Sequence, residues 1–184
     1  MLGCYDFCGH YEWTFAWLEQ RGGEALVHQY WDEAIAQDSQ THASDLIGGK
    51  GIAGMKEYWG HTLEHEAAGY HCSASDTVFR IDMHECPSKG FLIQNGLAQY
   101  KDYCDHCIGW IGPMLGREGW VVDHQHNHNG QCWWEIRARS ETEAAKPTAS
   151  LGGARDVRLR PDWKQELPLD TFAKATSVTQ KQPG

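Results

Sequence analysis

The sequence predicts an α+β fold, with N-terminal helices packed on a small, mainly antiparallel sheet and an extended C-terminal tail. Apolar residues recur at helical spacing through residues 10–67. From residue 77 they alternate with polar residues, which is typical of half-buried strands. A hairpin pattern near residue 130 and a polar stretch after residue 139 complete the prediction.

Three helices are predicted before the first strand. The first covers residues 10–21, the second runs from residue 24 to a glycine pair at 48–49, and the third covers residues 51–67. Their apolar stripes are expected to pack in the core rather than to bind a cofactor. The predicted inward residues are Trp13 and Trp17, then Leu26, Val27, Tyr30, Trp31, Ala34 and Ile35, then Ile52, Met55, Tyr58, Trp59 and Leu63.

Strands and one further helix follow. Residues 77–86 form a strand, residues 88–90 a turn, residues 91–95 a second short strand, and residues 97–116 a helix that Pro113 ends or kinks. The inward residues of the first strand are Phe79, Ile81 and Met83.

Residues 120–137 give the clearest hairpin, and its register decides which side chains meet. A two-residue turn would pair His126 with Trp133. A three-residue loop with Gly130 in the left-handed conformation instead pairs His126 with Cys132 and leaves one face mostly apolar. Because register is set by keeping one face buried, we favour the three-residue loop.

Residues 1–139 are predicted to form a single α+β domain, and residues 140–184 an extended tail. The tail is rich in Ser, Thr, Ala, Gly, Lys and Pro, so it needs a surface to lie on. We expect it to pack on a partner subunit, in a homo-oligomer or a larger complex.

Composition limits the classes of function. A net charge of −9 argues against a nucleic-acid or anionic membrane surface, and no apolar run is long enough to span a bilayer. The first ten residues have neither the basic start nor the apolar stretch of a secretory signal. Seven cysteines, an odd number, argue against a disulfide framework. We therefore expect a cytoplasmic protein whose thiols are free or bound to a metal.

A cysteine–histidine cluster is the strongest chemical signal. The spacing Cys104-x2-Cys107-x16-His124-x-His126-x5-Cys132 is compatible with zinc, which thiolate and imidazole bind. Zinc or another divalent metal is the predicted cofactor, and an iron–sulfur cluster held by four cysteines is the alternative. The candidate metal ligands are Cys86, Cys104, Cys107, His124, His126, His128 and Cys132.

Without a metal, the same cluster predicts covalent catalysis. Cys104 or Cys132 would be the nucleophile, activated by a nearby histidine, with Asp105, His106 or Glu135 moving protons. Each cysteine could instead be a buried thiol that only packs. The His61–His65 stretch matches the HxxEH pattern of one zinc-peptidase group, which is a weaker signal in a chain of this length.

The segment from residue 86 to residue 136 resembles the family of L-2-amino-thiazoline-4-carboxylic acid hydrolases. The matching features are Cys86-Pro87 after a strand, a helix that carries Cys104, and a final hairpin with Gly130-x-Cys132 before an aromatic strand. The resemblance implies hydrolysis of a cyclic C–N bond.

Two functions from different classes are thus predicted. The first is a small-molecule hydrolase or lyase that uses the Cys/His cluster, with or without a metal. The second is a non-catalytic zinc or iron–sulfur subunit of a larger enzyme complex. A catalytic site needs a cavity, and its predicted aromatic walls are Tyr103, Trp110, Trp120 and Trp134.

Overall fold

The computed structural model describes residues 2–66, 68–97 and 100–140 of the chain, and residues 141–184 of the predicted tail lie outside this part. The helical elements are α1 (Leu2–Tyr30), a π-helical segment (Trp31–Ser39), α2 (Thr41–Lys50), α3 (Ile52–His65), α4 (Pro87–Gln94) and α5 (Asp105–Arg117). The strands are β1 (Gly69–Ala74), β2 (Val78–Glu85), β3 (Trp120–His126) and β4 (Cys132–Ala138). Helices packed on a small antiparallel sheet confirm the α+β class. Within the described ranges, no helix has the length and apolarity that crossing a bilayer requires.

The sheet has the strand order β1–β2–β4–β3, and all neighbouring strands are antiparallel. The β3–β4 hairpin has the predicted register, because His126 pairs with Cys132. Gly130 has a φ of 83°, as the three-residue loop requires. The N–H of Asn127 donates to the carbonyl of Gln131 across the mouth of that loop at 3.1 Å. Alternate residues of β3 and β4 therefore share the inner face.

The first helix differs from its prediction in the face that it buries. Gly23, with a φ of 70°, kinks α1 near the predicted break. Trp13 and Trp17, however, are 66% and 51% exposed, so their predicted core role is wrong. Cys8 and Phe15 are buried instead. The buried face of the helix is therefore the one that carries Phe15, and the tryptophan stripe faces outward.

The segment after β2 is a helix and not the predicted turn and strand. Cys86 is the N-cap of α4, with Sγ accepting from the N–H of Lys89 at 3.5 Å, and Pro87 occupies the first turn. Proline suits that position because its missing N–H would have no partner within the helix. Apolar residues at 91–93 indicated a strand. The N-cap at Cys86 and the proline in the first turn instead favour a helix.

Three other boundaries differ from the prediction. The second predicted helix is interrupted at Gln40, where the π-helical segment gives way to α2. The break before α3 lies at Gly51, with a φ of 57°, because α2 continues through the glycine pair at 48–49. The helix predicted over residues 97–116 begins at Asp105, and Pro113 lies inside it. Strand β1 was not predicted.

Two clusters of buried side chains form the core. One joins α2, α3 and α5 to the inner face of the sheet, where Phe79, Ile81 and Met83 are buried as predicted. The other joins α1, the π-helical segment and α4 around Phe15 and Trp31. The opposite face of the sheet carries ion pairs between half-buried side chains. Arg80, for example, lies 2.9 Å from Asp82 and 3.0 Å from Glu135.

Helix α5 approaches the π-helical segment closely at Gly109. A Cβ atom at Gly109 would lie 2.4 Å from the ring of the buried Trp31, whereas one at Gly112 would meet Ile108 at an ordinary 3.5 Å. We expect Gly109→Ala to lower the free energy of unfolding by about 1–3 kcal/mol through overpacking. Gly112→Ala should raise it by up to about 1 kcal/mol, because alanine favours a helix. Urea unfolding followed by tryptophan fluorescence measures both, and equal stabilities would contradict the close approach.

Candidate active site

A cavity of about 260 Å³ lies between the helices and the inner face of the sheet. Its walls come from α1, the π-helical segment, α3, the start of α4, α5, β2 and β4. Aromatic rings make much of the lining, including Tyr11, Tyr58, Trp59, Trp110 and Trp134. Of the predicted walls, Trp110 and Trp134 line this cavity, Tyr103 lines an adjoining hollow, and Trp120 lines neither. The fold thus provides a space that suits a small, flat molecule.

Four cysteines and one histidine line the cavity, and Cys8 of α1 is one of these cysteines. Cys86 caps α4, Cys132 begins β4, and both His106 and Cys107 lie in the first turn of α5. The predicted convergence of the final helix and the hairpin is therefore present for Cys107 and Cys132. His106 was predicted to serve Cys104 or Cys132, but the structure pairs it with Cys107.

His106 and Cys107 form a thiol–imidazole pair. The Sγ atom of Cys107 lies 3.6 Å from Nε2 of His106. The other ring nitrogen, Nδ1, is hydrogen-bonded to the carbonyl oxygen of Tyr103. Because a carbonyl oxygen only accepts, Nδ1 carries the proton and Nε2 is the unprotonated nitrogen. Cys107 Sγ also lies 4.0 Å from Nδ1, so the thiol lies beside the ring and nearer to Nε2. The backbone thus fixes the tautomer that can take a proton from Cys107.

Burial keeps both members of the pair uncharged near neutral pH. Burial lowers the pKa of His106 to about 4, although the Tyr103 carbonyl opposes this shift. Burial also raises the pKa of the Cys107 thiol well above its ordinary value, and the neighbouring cysteines add to the effect. The resting state is therefore a thiol facing a neutral imidazole. A thiolate would form when the proton moves to Nε2.

Aromatic packing holds the His106 ring in place. Its centroid lies 4.8 Å from that of Tyr103, 5.5 Å from that of Phe15 and 6.2 Å from that of Tyr11. The Tyr103 hydroxyl is itself hydrogen-bonded to the hydroxyl of Ser88 at 2.6 Å. The ring is thus oriented from two sides, by the carbonyl bond and by ring contacts.

The other cysteines have different partners. Burial raises the pKa of Cys86 to about 12 and raises that of Cys132. Cys132 Sγ accepts from Nε1 of Trp134 at 3.2 Å. Cys104 lies in the adjoining hollow, of about 20 Å³, and burial raises its pKa while the Lys89 ammonium opposes the shift. Burial therefore favours the protonated thiol at Cys86, Cys104 and Cys132. The contact with a histidine ring nitrogen belongs to Cys107.

A possible metal site lies at the edge of this region. Asp105, His126 and His128 each offer a ligand atom, and these atoms lie within 4.8 Å of one another. His126 Nε2 is 2.7 Å from the Asp105 carboxylate, and His128 Nδ1 is 3.2 Å from the Lys101 carbonyl. The φ of His128 is 60°, a left-handed value that is uncommon for a residue other than glycine. Two predicted ligands, His126 and His128, are thus joined by Asp105, which was predicted only as a proton carrier.

The remaining predicted ligands do not join such a group. Among the described residues, Cys86, Cys104, Cys107, His124 and Cys132 belong to no set of three whose ligand atoms lie within 4.8 Å of one another. His124 stacks near Trp134, at 4.4 Å between centroids, and burial lowers its pKa to about 3. A second carboxylate group, formed by Glu19, Glu24 and Asp102, surrounds the Lys101 ammonium, which supplies its positive charge.

Two other predicted residues lie away from the cavity. Glu135 points to the opposite face of the sheet, because side chains alternate along β4, and it is bound there by Arg80. It is therefore not placed to move protons at the cluster. His61 and His65 of the HxxEH pattern are exposed on α3, with ring centroids 4.0 Å apart, and His65 is bonded to the His61 carbonyl.

Comparisons with known proteins add no relative: no family model, no curated protein and no solved structure matches this chain. The site is therefore defined by its own geometry. Sequence reasoning missed the pairing of His106 with Cys107. The available signal was their adjacency at the start of a helix, but spacing alone does not show that a neighbouring ring curls back onto the thiol.

Proposed function

We propose that this protein is a small-molecule hydrolase in which Cys107 is the nucleophile and His106 is the base. The observation that carries this proposal is the 3.6 Å approach of the Cys107 thiol to His106 Nε2, in a cavity, with the tautomer set by Tyr103. The resemblance to L-2-amino-thiazoline-4-carboxylic acid hydrolases supports a cyclic C–N bond as the target. Cytoplasmic location belongs to the same proposal, because Cys86, Cys104, Cys107 and Cys132 are free thiols, which suits a reducing compartment.

The reaction follows from this pair. As substrate binds, Cys107 transfers its proton to His106 Nε2, and the thiolate attacks the carbon of the C–N bond. His106 returns the proton to the departing nitrogen, which remains tethered because the ring has opened. Water then loses a proton to His106 and attacks the thioester or thioimidate, and the thiol re-forms with that proton.

A covalent intermediate on Cys107 is the direct test. We expect the full-length chain, incubated with 2-aminothiazolines, cyclic amidines or lactams and quenched in acid, to carry an adduct on Cys107. Cys104 and Cys107 fall on one tryptic peptide, residues 102–117, so fragment spectra must separate them. An adduct on Cys104 or Cys132 would place the nucleophile elsewhere, and the absence of adduct and turnover across the panel would overturn the proposal.

A metal centre is the second candidate, favoured by the Asp105, His126 and His128 group. An ion there would be held by one carboxylate and two imidazoles, a set that suits zinc. It ranks second because hydrogen bonds already satisfy these groups: the backbone N–H of His128 donates to His126 Nδ1 at 3.2 Å, which leaves the Nε2 proton for Asp105. This centre could serve hydrolysis or a non-catalytic zinc subunit. The iron–sulfur alternative would need the four cysteines to draw together.

Metal titration separates these alternatives. If the second candidate is right, the full-length chain should bind one Zn²⁺, and His128→Ala should weaken binding at least about tenfold. His42→Ala, an exposed histidine outside the group, is the control. A brown protein with broad visible absorption would instead support an iron–sulfur cluster. A chain that binds no Zn²⁺ and shows no visible absorption would exclude both metal proposals.

Residues 141–184 lie outside the described part of the chain, so the role of the tail also remains a proposal. We propose that it binds a partner subunit, and deletion of residues 145–184 should then reduce the assembly size in light scattering while the domain stays folded.

A further inference from the structure

The charge of the cavity walls is unusual for an enzyme whose substrate is a carboxylate. Among the described residues that line the cavity, Glu66 is the one with an acidic side chain, and none is a lysine or an arginine. The described walls therefore carry one carboxylate and no ammonium or guanidinium group.

Glu66 acts on the interior of the cavity. It lies at the C-terminal end of α3, one turn from Thr62, which also lines the cavity. Burial raises the pKa of Tyr58 to about 12, and the Glu66 carboxylate contributes. Tyr58 is also a wall residue, so the Glu66 carboxylate acts on a side chain that a bound ligand would touch.

The nearest buried cation belongs to a different space. Lys89 is only 6% exposed and lines the small hollow beyond Cys86, Cys107 and Cys132. Its ammonium lies 5.4 Å from the centre of the Tyr103 ring. Lys89 is not among the residues that line the larger cavity, so it does not offer a contact to an anion bound there.

We propose that the cavity selects planar molecules that are neutral or positively charged, such as cyclic amidines, and rejects those that carry a carboxylate. This proposal rests on the proposed function, since it names the substrate class of the same site. The family that the sequence resembles is named for a substrate with both a cyclic amidine and a carboxylate. The described walls suit the amidine part and offer the carboxylate neutral donors but no lysine or arginine.

Two physical effects give the selectivity. A carboxylate that leaves water for an apolar cavity without a counter-charge loses hydration that nothing replaces. An amidinium instead meets the Glu66 carboxylate and the electron-rich faces of aromatic rings such as Tyr58 and Trp110. A neutral amide loses less hydration than either ion and gains no ion pair, so it should bind with intermediate affinity.

Benzamidine, benzamide and benzoate test this order, because they share one planar shape and differ mainly in charge. Calorimetry with the full-length Cys107→Ser chain gives the affinity of each ligand in the absence of turnover. We expect benzamidine to bind most tightly and benzoate at least about tenfold more weakly than benzamide. Benzoate binding as tightly as benzamide, or no binding of any of the three at millimolar concentration, would overturn the proposal.

Variants locate the effect. Glu66→Gln should weaken benzamidine binding about three- to tenfold and leave benzamide binding unchanged, because only the cation interacts with the charge. Glu64→Gln, an exposed carboxylate on the same helix that does not line the cavity, is the matched control and should change neither affinity. A Glu66→Gln chain that binds benzamidine as tightly as its parent would contradict the role of Glu66.

The outcome is separable from that of the proposed function. Binding of the three ligands does not need a nucleophile, so the expected order can appear even if no covalent adduct forms on Cys107. In that case the hydrolase proposal fails while the selectivity stands. If an adduct forms on Cys107 but benzoate binds preferentially, the hydrolase proposal stands and the selectivity proposal fails.

Discussion

Replacement of Cys107 by serine is expected to lower kcat/KM for a substrate that forms the covalent intermediate by about 10³-fold or more. A hydroxyl is a far weaker nucleophile than a thiolate, and the neutral His106 is too weak a base to compensate. The fold should persist, because serine has nearly the shape of cysteine and replaces only a 3.6 Å contact with His106 Nε2. We expect the free energy of unfolding to change by about 1 kcal/mol or less.

Cys132→Ser is the matched control, since Cys132 lines the same cavity and also contacts a nitrogen, Nε1 of Trp134. It should keep kcat/KM within about threefold, because the hydrogen-bond partner of that thiol is the indole of Trp134, which is not a base. His106→Gln should lower kcat/KM by about 10²–10⁴-fold, the usual contribution of a general base. A large loss in Cys132→Ser or Cys104→Ser with an active Cys107→Ser would assign the nucleophile as the sequence first suggested.

The pH dependence checks the same assignment. His106 accepts a proton only when neutral, and burial lowers its pKa to about 4, so kcat/KM should fall as the pH drops through 4 and not near 6.5. The Cys107 pKa is raised by burial, so alkylation by iodoacetamide should be slow at pH 7 and rise above pH 9. Fast alkylation of Cys107 at pH 5 would indicate a thiolate–imidazolium pair and contradict this electrostatic account.

The hairpin shows how far the sequence determines the fold. Its register was predicted because a shift by one residue would exchange the apolar and polar faces of both strands. Local chemistry also indicated the loop, since a glycine stood where the left-handed conformation was required. The prediction succeeded where a strong periodic pattern and a turn residue agreed.

The segment over residues 87–94 shows where such reasoning fails. Three consecutive apolar residues gave no period that distinguishes a strand from a helix. The helix is decided by the cap at Cys86 and the proline in the first turn. Cysteine is not one of the usual N-cap residues, so the sequence did not indicate a helix start here. Because Cys86 precedes α4, this error did not alter the position of the first cysteine at the site.

The site itself was only partly predictable. Alternation along β3 and β4 placed Cys132 and His126 on one face of the hairpin. The same alternation puts Glu135 on the opposite face, so it could have been removed from the candidates. The pairing of Cys107 with His106 depends on side-chain orientation at the start of α5, and no period encodes it. The Asp105 contribution to the possible metal group likewise depends on how α5 meets the hairpin loop.

Replacement of Phe15 by alanine is expected to cost about 3–5 kcal/mol of unfolding free energy. Phe15 is fully buried. Six ring centroids lie 5.5–6.3 Å from its own, those of Tyr11, Tyr30, Trp31, Tyr100, Tyr103 and His106. The cavity left behind would border the His106 ring, so this variant should also lose activity under conditions in which it is still folded.

Trp13→Ala, two residues away on the same helix, provides the contrast. Trp13 has the larger ring but is 66% exposed, so its loss should change the unfolding free energy by no more than about 0.5 kcal/mol. Phe15→Leu should be intermediate, at about 1–1.5 kcal/mol, because it retains most of the apolar volume. Urea unfolding of the three variants measures the differences. A larger loss for Trp13→Ala than for Phe15→Ala would mean that α1 buries its tryptophan stripe, and the ring cluster that orients His106 would then be wrong.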